Sequence, residues 1–97
     1  TVLKKMYNKD LSNEYCESEP GLCPVFTEGQ EFFYEHYGDG NKPEGFCEHA
    51  WIDIYKDIMI LSYNGNYSGW MKKSNTNIVC CTDGIRPVVF KLERIET

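Results

Sequence analysis

Five cysteines, Cys16, Cys23, Cys47, Cys80 and Cys81, are the residues of this chain best equipped for chemistry. Because their number is odd, they cannot all close into disulfides within one molecule, so at least one thiol is free, ligated or shared with another chain. Thiolates from separated segments commonly converge on Zn²⁺ or on an iron–sulfur cluster, which makes a soft-metal site (Zn, Fe or Fe-S) the first chemistry to weigh. No two of these cysteines have the Cys-x-x-Cys spacing of a zinc knuckle, so the fold would have to assemble such a site. The favoured metal set is Cys23, Cys47 and one of Cys80 or Cys81, because neighbours on a regular strand face opposite sides.

A reactive thiol is the second chemistry. Placed in a first helical turn, Cys47 would have its thiolate stabilised by the unsatisfied amides and the helix dipole. A nucleophile wants a base, and the histidines are His36 and His49. Two positions on a helix lie about 200° apart, so His49 points away from Cys47 and His36 is left as the candidate. A redox pair of Cys80 and Cys81 ranks lower, since a disulfide between adjacent residues is strained. Against both stands simple packing, because unpaired cysteine often behaves as a small hydrophobe. The sequence contains no nucleotide loop, hydrolase elbow or nucleic-acid motif. Glu44, Glu48 and Asp53 sit where solvated helix faces and caps usually sit. Asp83 reads as a turn residue with Gly84, and Arg86 as a surface or ion-paired side chain.

The elements that would position these thiols follow from pattern. Thr1 to Tyr7 is rich in strand formers, and Asp10 is placed to cap a short helix running through Glu17. Residues 18–24 carry Pro20, Gly21 and Pro24 and form a loop that delivers Cys23 in a stiff Cys-Pro dipeptide. A strand is expected from Gln30 to Tyr37, with Phe32, Tyr34 and His36 on one side. From Phe46 the period changes: Cys47, Trp51, Ile54, Ile58 and Leu61 mark one face of a helix over 46–62, with Asp53, Lys56 and Asp57 on the other side. Residues 64–77 are rich in Asn, Gly and Ser, yet hold Tyr67, Trp70 and Met71; Trp70 is expected to fold back onto the core. The chain then runs from Ile78 to Cys81, turns at Asp83-Gly84, and returns with Val88, Phe90 and Leu92 on the core face of a hairpin. The sum is α+β: a small antiparallel sheet, one main helix (46–62) and a C-terminal β-hairpin, in a single domain over 1–97.

Bulk properties narrow the partners. With 97 residues and 41% hydrophobic content the chain supports one modest core without disulfide staples. A formal charge of −5 disfavours nucleic acid and anionic membrane. No apolar stretch approaches the roughly eighteen residues of a span, and Thr1-Val2-Leu3-Lys4-Lys5 lacks the apolar core of a signal peptide. An odd cysteine count without such a signal points to the reducing cytoplasm.

Three stretches, Cys23-Pro24, Glu44-Gly45-Phe46-Cys47 with Ala50-Trp51, and Cys80-Cys81-Thr82-Asp83-Gly84-Ile85-Arg86-Pro87-Val88-Val89-Phe90, resemble a family of short, uncharacterised bacterial and archaeal proteins, many from anaerobes. In that family Leu often precedes the second motif's cysteine, where this chain has Phe46, and Pro commonly stands in place of Thr82. The resemblance covers most of the chain. It implies reducing, cytosolic conditions and a pattern that includes Cys23, Cys47 and the Cys80-Cys81 pair, with Cys16 outside it; it supplies no catalytic residues. Three functions are therefore carried forward. The first is a soft-metal site of Cys23, Cys47, Cys80 and Cys81, with Trp51, Trp70 and His36 as candidate pocket walls. The second is a thiol-based redox enzyme or sensor, and the third a homo-oligomeric interaction module with structurally buried cysteines. A small molecule or metal is the candidate ligand.

Overall fold

Strand formers from opposite ends of the chain meet in one sheet. In the computed structural model, which describes residues 1–35 and 42–95, Val2–Lys5 (β1), Thr76–Cys80 (β2) and Val88–Glu93 (β3) form an antiparallel sheet of order β1-β3-β2. Two helices, Lys9–Tyr15 (α1) and Glu48–Ser62 (α2), complete the α+β architecture. Along β3 the period-2 pattern of the sequence becomes burial, with Val88, Phe90 and Leu92 inward. Val79 of β2 and Val2 of β1 both register against Phe90, and the β1–β3 register shifts between Val2 and Lys4 as a bulge.

α2 lies on the inner face of β2 and β3 and buries Ala50, Ile54 and Leu61, with Trp51 and Ile58 beside them. It starts two positions later than the apolar period suggests. Gly45 has φ +81, Phe46 N–H donates to Pro43 O in a turn, and Cys47 is extended, so Phe46 is buried as part of the approach to the helix. The far end closes as a Schellman motif: Asn64 takes the left-handed conformation at φ 65, Gly65 N–H donates to Ile60 O at 2.7 Å, and Asn64 N–H to Leu61 O at 3.2 Å. Arg94, just past β3, donates through Nη1 to Leu61 O at 3.2 Å and Gly65 O at 2.6 Å, so the end of the sheet caps the end of the helix.

Four local expectations need correction. The short helix is preceded by Asn8, not capped by Asp10, and ends at Tyr15; Asn8 is occupied instead, its backbone N–H donating to Ile85 O and its amide to Gly84 O. Residues 30–35 form no strand, and His36 and Tyr37 lie outside the described residues. Their alternation is real, since Phe32 and Tyr34 are half-buried while Glu31, Phe33 and Glu35 are exposed, but rings hold the segment in place of a ladder. Phe32 packs against Phe26 and Phe46, and Tyr34 against Trp51, while Gly29 and Gln30 alone pair with β1, at Val2. The hairpin connection spans 81–87 and is wider than an Asp-Gly turn: Asp83 Oδ1 accepts from the Ile85 and Arg86 amides, forming an Asx-type bend inside a longer loop. Finally, Trp70 stands 78% exposed. Tyr67, not Trp70, anchors the 64–75 loop, and its ring packs against the core.

The helix stop generates a direct test. A Cβ at Gly65 would lie 2.5 Å from Ile60 Cγ2 and 2.6 Å from Ile60 O, a clash that must displace backbone. Gly65→Ala should cost about 1–3 kcal/mol in urea unfolding, whereas Gly84→Ala, where an added methyl meets open space, should stay within about 0.5 kcal/mol.

Candidate functional site

The five thiols are all free, and the fold distributes them unequally. Cys81 is buried and bonded on both sides: its N–H donates to Val88 O at 3.1 Å, and its Sγ accepts from Val88 N–H at 3.3 Å. In a regular ladder that amide would donate to the carbonyl of residue 81. The sulfur substitutes for it, so the strand can break into the 81–87 loop without orphaning a buried amide. Cys80, one residue earlier, registers against Val89 and is exposed on the outer face.

Cys47 occupies the N-cap of α2, where its carbonyl accepts from Trp51 N–H at 2.9 Å and its side chain makes no capping bond. It is half-buried against the core, as is Cys23. The Cys23 loop is pinned by Lys5, whose ammonium donates to Cys23 O at 3.1 Å and Phe26 O at 2.8 Å. Cys16 ends α1 and lies outside the core cluster. Cys23, Cys47 and Cys81 thus touch one apolar cluster, with Cys80 on the other side of the sheet. Among the described residues, no three His, Cys, Asp or Glu side chains are grouped to hold a metal ion.

The polar contacts that organise this corner come from residues whose sequence pattern places them in solvent. Asp53 is half-buried and clasps the residue after the cysteine pair: its carboxylate accepts from Thr82 N–H at 2.8 Å and from Thr82 Oγ1 at 3.0 Å. His49 Nδ1 lies 3.4 Å from Asp53 Oδ2, leaving the imidazole mostly exposed. One turn later Asp57 Oδ1 accepts from Tyr67 OH at 2.8 Å and Asn77 Nδ2 at 3.1 Å, tying the long loop to α2 and β2. The signal that could have found them is their spacing. Asp53 and Asp57 are an i, i+4 pair on the flank of the apolar stripe, the place from which a helix reaches a neighbouring strand. Asp83 is held below the usual carboxylate range, first by the Arg86 amide and then by the Ile85 amide and the Arg86 guanidinium, whose Nε lies 3.9 Å away. Arg86 is therefore committed to its own loop.

Away from the thiols, an open groove of about 1460 Å³ runs between α2 and the far half of β3, lined by Phe32, Tyr34, Trp51 and Ile58 among others, and by none of the cysteines. Trp51 is thus a wall of this groove, packed on Phe46, Tyr34 and Tyr55, while Trp70 does not line it and His36 lies outside the described residues. No described helix is long and apolar enough to cross a membrane. Comparison with known proteins returns no match to a family model, a curated protein or a solved structure.

Two measurements check this geometry. Cys81→Ala leaves the Val88 amide unpaired in the core and should cost about 1–3 kcal/mol in chemical denaturation, while Cys80→Ala should be close to neutral. Tyr67 is pushed up from 10.0 to about 12, chiefly by burial and then by its bond to the Asp57 carboxylate. The folded state therefore holds this proton more tightly than the unfolded chain, and the associated stability is present below pH 10 and lost as pH rises toward 12. Tyrosine absorbance should show one phenol titrating late, and Tyr67→Phe should remove that phase and flatten the alkaline loss of stability.

Proposed function

We propose that this chain works by association: it is an interaction module that docks through apolar surface its own fold leaves open, and Cys23, Cys47 and Cys81 serve chiefly as packing and as a backbone partner. The observation that carries the reading is the amount and kind of uncovered surface. A compact monomer of 11.3 kDa is expected to expose about 5,700 Å², whereas this chain exposes 6811 Å². The difference, about 1,100 Å², is of the size that one partner buries in a stable protein complex, about 800 Å².

The exposed groups are large and apolar. α2 carries a second stripe on its outward side, where Ile52 is 75% exposed beside Tyr55 and Met59. A helix apolar on both sides is one built to be covered on both. On the sheet, no helix packs against the outer face among the described residues, which leaves Ile78 and Cys80 of β2 beside Val89 of β3. The thiols fit the same picture. Cys81 has its sulfur engaged by an amide, and Cys23 and Cys47 are packed on the core, as unpaired structural cysteines commonly are.

Metal analysis of anaerobically purified protein separates this reading from the others. It should find Zn and Fe well below one equivalent, and Cys23→Ala and Cys47→Ala should fold with the association state unchanged. A full equivalent of metal lost in Cys47→Ser would overturn the reading in favour of a soft-metal site. One thiol alkylated at pH 6 much faster than a free thiol would turn it toward redox chemistry.

A further inference from the structure

Backbone pairing along the sheet leaves its two edges in different states. At β1 the edge is blunted: a bulge interrupts it, Lys4 and Lys5 charge it, and Val2 already exchanges bonds with Gly29 and Gln30. At β2 nothing comparable is present. Cys81 N–H donates to Val88 O and Arg94 N–H to Asn75 O, which sets the phase of the β2–β3 ladder. The Val79 and Asn77 groups therefore face β3, and those of Ile78 and Cys80 face away from it. Among the described residues no backbone or side-chain partner reaches these outward groups. The strand Thr76-Asn77-Ile78-Val79-Cys80 carries no charge and no proline, the two devices that usually protect an open edge.

From this edge we infer that β2 pairs antiparallel with β2 of a second copy of the chain, across a two-fold axis at Ile78, joining the two sheets into one six-stranded sheet. The inference rests on the association reading and names its partner. The pairing is self-complementary, as a two-fold interface requires. With Ile78 opposite Ile78 of the second copy, Cys80 falls opposite Thr76: the two Ile78 residues exchange both bonds, and each Cys80 N–H meets the Thr76 carbonyl of the other copy. Thr76 N–H is already used by Lys73 O, so the Cys80 carbonyl stays with solvent at each end of the seam. Charge suits the same register: counting out from the strand ends, it brings Lys73 of one copy toward Asp83 of the other, opposite signs at each end of the seam. Sliding the strands by two residues would set Lys72 toward Arg86 instead. On the seam itself lies an exposed apolar group that the joined sheet would begin to cover, Ile78 at 43%.

Sedimentation or light scattering should give wild-type protein a mass twice 11.3 kDa, falling with dilution to the monomer. Ile78 lies on the outer face, so Ile78→Lys should keep the fold by circular dichroism and give the monomer mass at concentrations where wild type is dimeric. A cross-link tests the register independently. Facing residues in this pair have Cα atoms about 5.5 Å apart, within disulfide range of about 4.4–6.8 Å. Ile78→Cys in a Cys80→Ser background should therefore give a reducible dimer under mild oxidation, and Cys80→Ser alone should not. A wild type that stays monomeric at high concentration overturns the inference. So does a dimer that survives Ile78→Lys while Ile78→Cys forms no cross-link, an outcome that leaves association standing through another surface. A metal-loaded monomer would remove both.

Discussion

Everything in this fold leans on Phe26. It sits in an irregular loop, 2% exposed, and its ring meets Phe90 of β3 at 5.1 Å, Phe46 ahead of α2 at 5.0 Å and Phe32 at 5.9 Å, all edge-on. Burying a phenylalanine side chain contributes about 1.5–3 kcal/mol, and favourable edge geometry adds about 0.5–1.5 kcal/mol per pair. The larger effect is positional. Residues 16–35 have no helix or strand of their own, and this ring, with the Lys5 ammonium gripping the carbonyls of Cys23 and Phe26, fixes where the Cys23 loop meets the sheet. The same cluster explains why the approach to α2 can be a turn and still be ordered: Phe46 is held by Phe26, Phe32 and Phe90 before the helix begins.

The cysteine pair shows how neighbouring residues of one type acquire unrelated roles. Strand geometry alone sends Cys80 to one face and Cys81 to the other. Position then does the rest, because Cys81 falls where the ladder ends and a buried amide needs an acceptor, while Cys80 falls on a face that no described helix covers. Thr82 completes the junction by binding Asp53 with both backbone and hydroxyl, so three consecutive residues face the outer surface, the core and the helix in turn. The distinction matters for function: what distinguishes these thiols is their surroundings, and those surroundings are backbone, aromatic rings and solvent.

Elements governed by strong periodicity were legible in the sequence. α2, the hairpin strands and the inward set Val88, Phe90 and Leu92 follow from spacing alone, because burial imposes 3.6- and 2-residue periods directly. The 30–35 segment shows where this reasoning stops. Alternation reports which side chains are inward, not whether the backbone finds a strand to pair with, and here rings stand in for a ladder. Trp70 fails differently: size argues for burial, but the loop that carries it is already anchored through Tyr67 to Asp57. The roles of Asp53 and Asp57 left only a faint trace, their i, i+4 spacing, because a single carboxylate flanking an apolar stripe reads the same whether it meets water or a neighbouring strand.

The strand order carries a consequence for how the molecule comes into being. β3 is the central strand and the last element in sequence, and β1, whose residue Val2 registers against Phe90, is the first. Contacts of such long sequence separation slow folding, since the entropy of closing the intervening chain is lost before the contact repays it. During synthesis, β1, α1 and α2 must therefore wait without a sheet, with Phe26 and Phe46 lacking their shared partner Phe90 until β3 has been made. Formation of this sheet is a closing step made at β3, and the interval before it is when its apolar surface is widest open.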